Sequence, residues 1–218
     1  KSSFLDTCCG SMAEPRRRNL PGTPQGEIFK WKSSDFKADG HYSVQEWIQD
    51  KIRSDPTDIK AICKPPEHVH KHEWIYEHIR QIIIELNALV VSLQASCTGS
   101  SCPKMTAGEG FEFLSACYGA QPQMVSAVDY ACHNIDFHVA IINKTKNFPR
   151  PNHDALGKKA MKELSDVAKR LYRIIAHAYF HHKEEFMGFE FATGLYKRFA
   201  HLNETYKLTS FTPAIKVN

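Results

Sequence analysis

Cys97 and Cys102 are separated by four residues, and far downstream comes the run His177-Ala178-Tyr179-Phe180-His181-His182. Two soft thiolates and two imidazoles are a standard tetrahedral donor set for a structural zinc ion, and the histidine spacing fits the accepted range. One ion bound by both motifs would clip two remote parts of the chain together. Taken singly, each cysteine reads as a small buried hydrophobe and each histidine as an ordinary polar residue, so the pairing carries the argument. Spacing leaves open which histidine accompanies His177. At about 100° per residue, positions 177 and 181 lie about 40° apart on a helix, whereas 177 and 182 lie about 140° apart. Regular geometry favours His181, and His182 requires the helix to end or distort.

A second group is basic. Lys169, Arg170 and Arg173 fall within about 100° on one helix face, opposite the apolar positions Leu164, Leu171, Ile174, Ile175 and Ala178. They are therefore expected to point outward. Guanidinium forks bind phosphate oxygens bidentately, and preorganised basic clusters read phosphopeptides. The ordinary alternative is a solvated helix face.

These residues must be positioned by helices. Residues 72–96 show the strongest pattern, with Trp74, Ile75, Ile79, Ile82, Ile83, Leu86, Leu89, Val90 and Leu93 at three- and four-residue spacing. So much apolar character predicts a central, deeply packed helix that ends at Cys97. Further helices are predicted at 43–53, 128–143, 156–182 and 184–206, the last bent near Gly188 and Gly194. Residues 111–125, with Phe111, Phe113, Tyr118, Gly119 and Pro122, predict a short β-hairpin or extended excursion. The fold class is all-α, organised as an irregular arm over 1–40 with a basic run Arg16-Arg17-Arg18, a helical domain over 41–208, and a tail over 209–218.

Composition narrows the function. With 218 residues, 42% hydrophobic and 24% charged, the chain has material for a sizeable core, which argues against global disorder. A net charge of +4 is too mild for the clustered basic footprint of a nucleic-acid binder, and no compact finger spacing occurs. No apolar run approaches the roughly 20 residues of a membrane span. Seven irregularly spaced cysteines suit metal binding in a reducing compartment better than a disulfide framework. These features predict a cytoplasmic protein whose only membrane association is peripheral, through partners. A zinc hydrolase would need an open metal position and a nearby base; no His-Glu-x-x-His is present, and Glu184 and Glu185 read as surface residues.

Several stretches together resemble the Mob family. They are Glu73-Trp74-Ile75-Tyr76-Glu77-His78, the cysteine pair leading into Pro103-Lys104-Met105-Thr106-Ala107-Gly108, and Ala168-Lys169-Arg170-Leu171-Tyr172-Arg173 running into the histidines. The resemblance spans roughly residues 15–208. Within the family the chain is most similar to the phocein branch, through Arg17 to Thr23, Tyr76 to Gln81, Glu85-Leu86-Asn87 and the His-Ala-Tyr-Phe-His-His form of 177–182. The family implies a helical bundle around a structural zinc ion held by Cys97, Cys102, His177 and His182. The kinase-activating branch has glutamine at the position of His181, so the resemblance selects His182 and implies an irregular last turn.

By the same resemblance the chain is an adaptor without catalytic activity. Phocein-like members belong to a complex in which a striatin-type scaffold joins type-2A phosphatase to germinal-centre kinases. Members of the other branch co-activate nuclear Dbf2-related kinases. The positions of Lys169, Arg170 and Arg173 match the family's phosphothreonine-binding cluster. One departure stands out: the kinase-activating branch carries an aspartate where this chain has Gln81.

Overall fold

The computed structural model describes residues 22, 24, 43–67, 69–108, 110–116, 119, 121–144, 146–148, 156–210 and 215–217. Residues 38–218 form one unit, and every helix among the described residues belongs to it. The expected basic run Arg16 to Arg18, and the phocein-like stretch from Arg17 to Thr23 apart from Gly22, lie outside the described residues.

Seven helices occur among the described residues: α1 (Ser43–Ser54), α2 (Ile59–Cys63), α3 (Lys71–Ser92), α4 (Ala127–Ile142), α5 (Lys158–His181), α6 (Lys183–Thr193) and α7 (Leu195–Tyr206). The centre is α3, as its apolar pattern predicts. Trp74, Ile75, Tyr76, Ile79, Ile82, Leu86 and Leu89 are all buried, and α3 packs against α1, α4, α5, α6 and α7. A helix touched on so many sides needs apolar residues around most of its circumference. Its start is set by His70, whose Nδ1 accepts the His72 backbone N–H at 3.3 Å. In α4, Ser126 plays the same part, its Oγ accepting from the Asp129 N–H at 3.2 Å. Trp74 reaches away from the main core to close a smaller cluster with Val44 and Ile48 of α1.

The structure departs from the sequence reading in three places. The five-residue α2 was not anticipated; it follows Pro56, and Asp58 caps it by accepting the Ala61 N–H at 3.0 Å. The predicted hairpin over 111–125 has no run of paired strand among the described residues. It reduces to two isolated antiparallel bridges, Thr106 with Glu112 and Ser115 with Gln123. Of the aromatic residues that suggested strand, Phe113 lies against the core, Phe111 is exposed, and Tyr118 lies outside the described residues. Finally, the long last helix breaks at Gly194 alone, and Gly188 lies within α6.

Gly194 joins α6 to α7 at φ +60°, and a Cβ there would sit 2.5 Å from the Pro56 carbonyl oxygen. Both the left-handed backbone and the close approach of the α1–α2 connection demand glycine. Replacing it with alanine is expected to cost about 2 kcal/mol or more, lowering Tm by roughly 4–8 °C. Thermal unfolding of Gly194→Ala beside the unaltered chain measures this; an unchanged Tm would contradict the tight approach.

His78 is fully enclosed on α3 against Trp74, and neither ring nitrogen has a protein partner. Burial, helped by the nearby Arg198 guanidinium, pushes its pKa down to about 3, against an ordinary 6.5. The folded state therefore holds His78 neutral while the unfolded chain takes up a proton below about pH 6.5. Its contribution is intact above that value and is lost as pH falls from 6.5 toward 3. His78→Leu is expected to flatten the loss of stability across this window by up to about 1.4 kcal/mol per pH unit. Denaturant titrations at pH 7, 6 and 5 read the slope; parallel slopes for both proteins would contradict it.

Candidate metal centre and basic cluster

Each expected ligand is placed by a different local device. Cys97 closes the turn that ends α3, its N–H donating to Leu93 O at 2.7 Å. The next residues form a knuckle in which the Ser101 Oγ donates to Ser96 O at 2.6 Å and accepts the Thr98 N–H at 2.8 Å. That knuckle turns Cys102 back toward Cys97, and the Cys102 carbonyl receives the Ala127 N–H at the start of α4. His177 projects from α5. His182 follows immediately after α5 with φ −137° and ψ 53°, outside helical values. This irregular residue swings the imidazole around the helix, which is how a position about 140° away comes to share a site with His177.

The ligand atoms of Cys97, Cys102, His177 and His182 all lie within 4.8 Å of one another. Cys97 Sγ is 3.5 Å from His177 Nε2, and Cys102 Sγ is 3.4 Å from His182 Nε2. In a tetrahedron with metal–sulfur distances near 2.3 Å and metal–nitrogen distances near 2.0–2.1 Å, a sulfur and a nitrogen stand about 3.5 Å apart. The quartet therefore fits a four-coordinate ion of that size. His181 is not part of it: its Nε2 lies 2.8 Å from Thr106 Oγ1, at the surface.

Thr106 was not singled out by the sequence. Its carbonyl accepts the His177 Nδ1–H at 2.8 Å. That bond fixes the tautomer and leaves the Nε2 lone pair facing Cys97, the outer-sphere support expected for a metal-bound histidine. Burial lowers the His177 pKa to about 4, the Thr106 bond opposing and His181 and His182 adding to the effect. On the sulfur side, burial and then the Cys102 thiol raise Cys97 to about 12. Neutral imidazoles are ready to ligate, whereas the thiols give up their protons when a cation takes their place.

Of the basic residues of α5, Lys169, Arg170 and Arg173 are half-buried rather than fully in solvent. Arg173 Nη1 donates to the Tyr130 hydroxyl at 3.0 Å, and its guanidinium lies 4.5 Å from the Phe113 ring centroid. Lys169 pairs with Asp166 one turn earlier at 3.2 Å. Arg170 has no carboxylate partner among the described residues. Behind the cluster, α4 contributes the buried His138, whose Nδ1 contacts the Asn134 carbonyl. Burial lowers its pKa to about 4; the Asn134 contact opposes this, and Arg170 and Arg173 reinforce it. Among the described residues, no carboxylate is paired with Arg170 or Arg173.

The geometry predicts that one divalent metal ion binds per chain. His182→Ala is expected to abolish binding, whereas His181→Ala keeps it, because His181 spends its Nε2 on Thr106. Metal content by mass spectrometry, with Tm before and after chelation, checks both. Retention by His182→Ala with loss by His181→Ala would reverse the assignment.

Comparison with known proteins agrees with this architecture. The model of the Mob1/phocein family matches residues 49–211. MOB kinase activator-like 4 of Drosophila melanogaster is 37% identical over 195 residues, covering 89% of this chain and 86% of that protein. MOB-like protein phocein of Caenorhabditis elegans is 38% identical over 194 residues, covering 88% and 85%. Maintenance of ploidy protein mob1 of Schizosaccharomyces pombe is more distant, at 26% over 164 residues, covering 74% and 77%. With its family match running through the helices that carry the metal quartet and the basic cluster, the chain belongs to the Mob1/phocein family.

Proposed function

We propose that this chain is a non-catalytic, zinc-containing adaptor of the phocein type. In this reading it links a striatin-type scaffold and its type-2A phosphatase to germinal-centre kinases, and Lys169, Arg170 and Arg173 receive a phosphorylated segment of a partner. The observation that carries the phosphate reading is the preorganisation of Arg173. Held by Tyr130 and Phe113 beside an Arg170 that has no carboxylate partner among the described residues, it presents donors whose orientation is already fixed.

Zinc is the ion favoured by two thiolates and two imidazoles. Four protein ligands leave no position for a substrate or an activated water, which supports a structural rather than a catalytic ion. The buried Cys63 and the surface Cys132 are free thiols, in keeping with a reducing, cytoplasmic setting. No helix among the described residues is long and apolar enough to cross a membrane.

The alternative is co-activation of nuclear Dbf2-related kinases. Gln81 weighs against it. Its side chain is buried, accepting from Gln49 Nε2 at 3.0 Å and donating to Glu85 Oε1 at 2.6 Å. A neutral amide committed to two neighbours replaces the carboxylate of the kinase-activating branch. The 38% identity to MOB-like protein phocein of Caenorhabditis elegans, against 26% to maintenance of ploidy protein mob1, points the same way.

Phosphothreonine peptides from germinal-centre kinases, with their unphosphorylated twins, test the phosphate site by fluorescence anisotropy. Charge-assisted hydrogen bonds contribute on the order of 1.5–3 kcal/mol, so Arg170→Glu is expected to weaken phosphopeptide binding at least about tenfold. Zinc content and Tm should be little changed. Arg173→Glu is a poorer probe, since it also breaks the Tyr130 contact. Equal affinity for phosphorylated and unphosphorylated peptides, or for Arg170→Glu and the unaltered chain, would rule out phosphate reading by this cluster.

A further inference from the structure

Three large apolar side chains stand in solvent along the α3–α6 edge: Ile84 and Val91 of α3, 51% and 54% exposed, and Phe191 of α6, 86% exposed. The two helices lie side by side and antiparallel. At one end the Arg198 guanidinium bonds both Glu85 of α3 and the Thr193 carbonyl of α6, and at the other Ser96, just beyond α3, and Glu185, at the start of α6, line the same hollow. Residues three and four apart share a helix face. Ala88 and Ser92, following Glu85, therefore flank α6, and Gly188 and Ala192, following Glu185, flank α3; all four are exposed. Between the helices runs a valley with a low floor of small residues, walled by Ile84 and Val91 on one side and by Phe191 on the other.

We propose that this valley docks a single amphipathic helix of a partner protein, with apolar residues at three- and four-residue spacing and a basic end. The walls are helices whose backbone groups are already paired internally, so they offer no ladder to an extended peptide. The occupant must bring its own satisfied backbone, as a helix does. Small floor residues allow such a helix to approach closely. The basic end follows from the acidic rim where α6 begins. Glu184 is exposed and Glu185 stands beside it, while the Lys183 ammonium is drawn over the Tyr179 ring. A second copy of this chain fits poorly. Two helices side by side over two turns present on the order of 300 Å², well short of the about 800 Å² per partner usual in a stable interface.

The test places the photo-crosslinking amino acid benzoylphenylalanine at position 191 of the full chain in cells and identifies the crosslinked peptides by mass spectrometry. The expected result is one segment of another protein with the stated apolar spacing and a terminal Lys or Arg. A synthetic peptide of that segment should gain helicity on binding the purified chain. Val91→Glu and Phe191→Glu should each weaken it at least about tenfold, as loss of a central apolar anchor does. Tm and phosphopeptide binding should stay as they are, since both side chains stand in solvent and neither belongs to the basic cluster. Crosslinks only to a second copy of the chain, crosslinks no stronger than from the exposed position 162, or equal peptide affinity for the variants would each overturn the proposal.

Discussion

The convergence of Cys97, Cys102, His177 and His182 on one point governs the rest of the structure. It joins the end of the central helix to the end of α5, two places the chain reaches only after a long excursion through the α3–α4 connection and α4. That connection has little regular hydrogen bonding of its own, only two isolated bridges among the described residues. It is fastened instead at the Cys102 carbonyl, which receives the Ala127 N–H, and at Thr106, which faces both His177 and His181. Without a cation, the quartet would leave soft donors packed together with little to reward their convergence. With one, ligand geometry and loop geometry become a single constraint, since binding energy at such a site is also folding energy.

A second constraint runs across the other side of α3. Arg198 of α7 is completely buried, a costly position for a charge unless it is paired. Glu85 supplies the pair, and Gln81 extends it to Gln49 of α1. One polar line thus crosses three helices at fixed heights and sets their register more sharply than apolar packing alone can. It also explains why the amide at position 81 matters beyond its missing charge. A carboxylate there would stand beside Glu85 and compete with it for Arg198, so the neutral residue suits this particular network.

How much of this was legible in the sequence depends on whether local pattern or tertiary context decides. The apolar period of α3 is so strong that its central place follows directly, and the same holds for α4 and α5. The paired cysteines and histidines pointed to a candidate metal site, and their ligand atoms do converge, yet helical spacing alone pointed to His181. The resemblance pointed to His182, and the non-helical backbone of His182 is the physical reason the simple angular argument fails. Thr106 was invisible because a backbone carbonyl carries no side-chain signature. The five-residue α2 was too short to show a period, and Phe111 and Phe113 looked like strand because aromatic residues favour any half-buried extended surface. Arg173 read as a surface residue because a helix wheel does not know that Tyr130 and Phe113 arrive from other elements.

These features meet in α5. Arg173 and His177 are four residues apart, and Arg170 precedes Arg173 by three, so the basic cluster and the first candidate imidazole ligand share one face of one helix. Tyr130 and His138 of α4 back that face, and Phe113 covers it from the α3–α4 connection. The same connection carries Thr106, which orients His177. The segment that steadies His177 is therefore also the one that steadies the arginine. A Lys or Arg on an ordinary solvated helix must lose side-chain freedom each time it binds a phosphate, whereas here much of that ordering is already done in the folded state. The metal quartet would then do more than hold the fold: through Thr106 and Phe113 it would keep the basic cluster in the arrangement that an anionic partner meets.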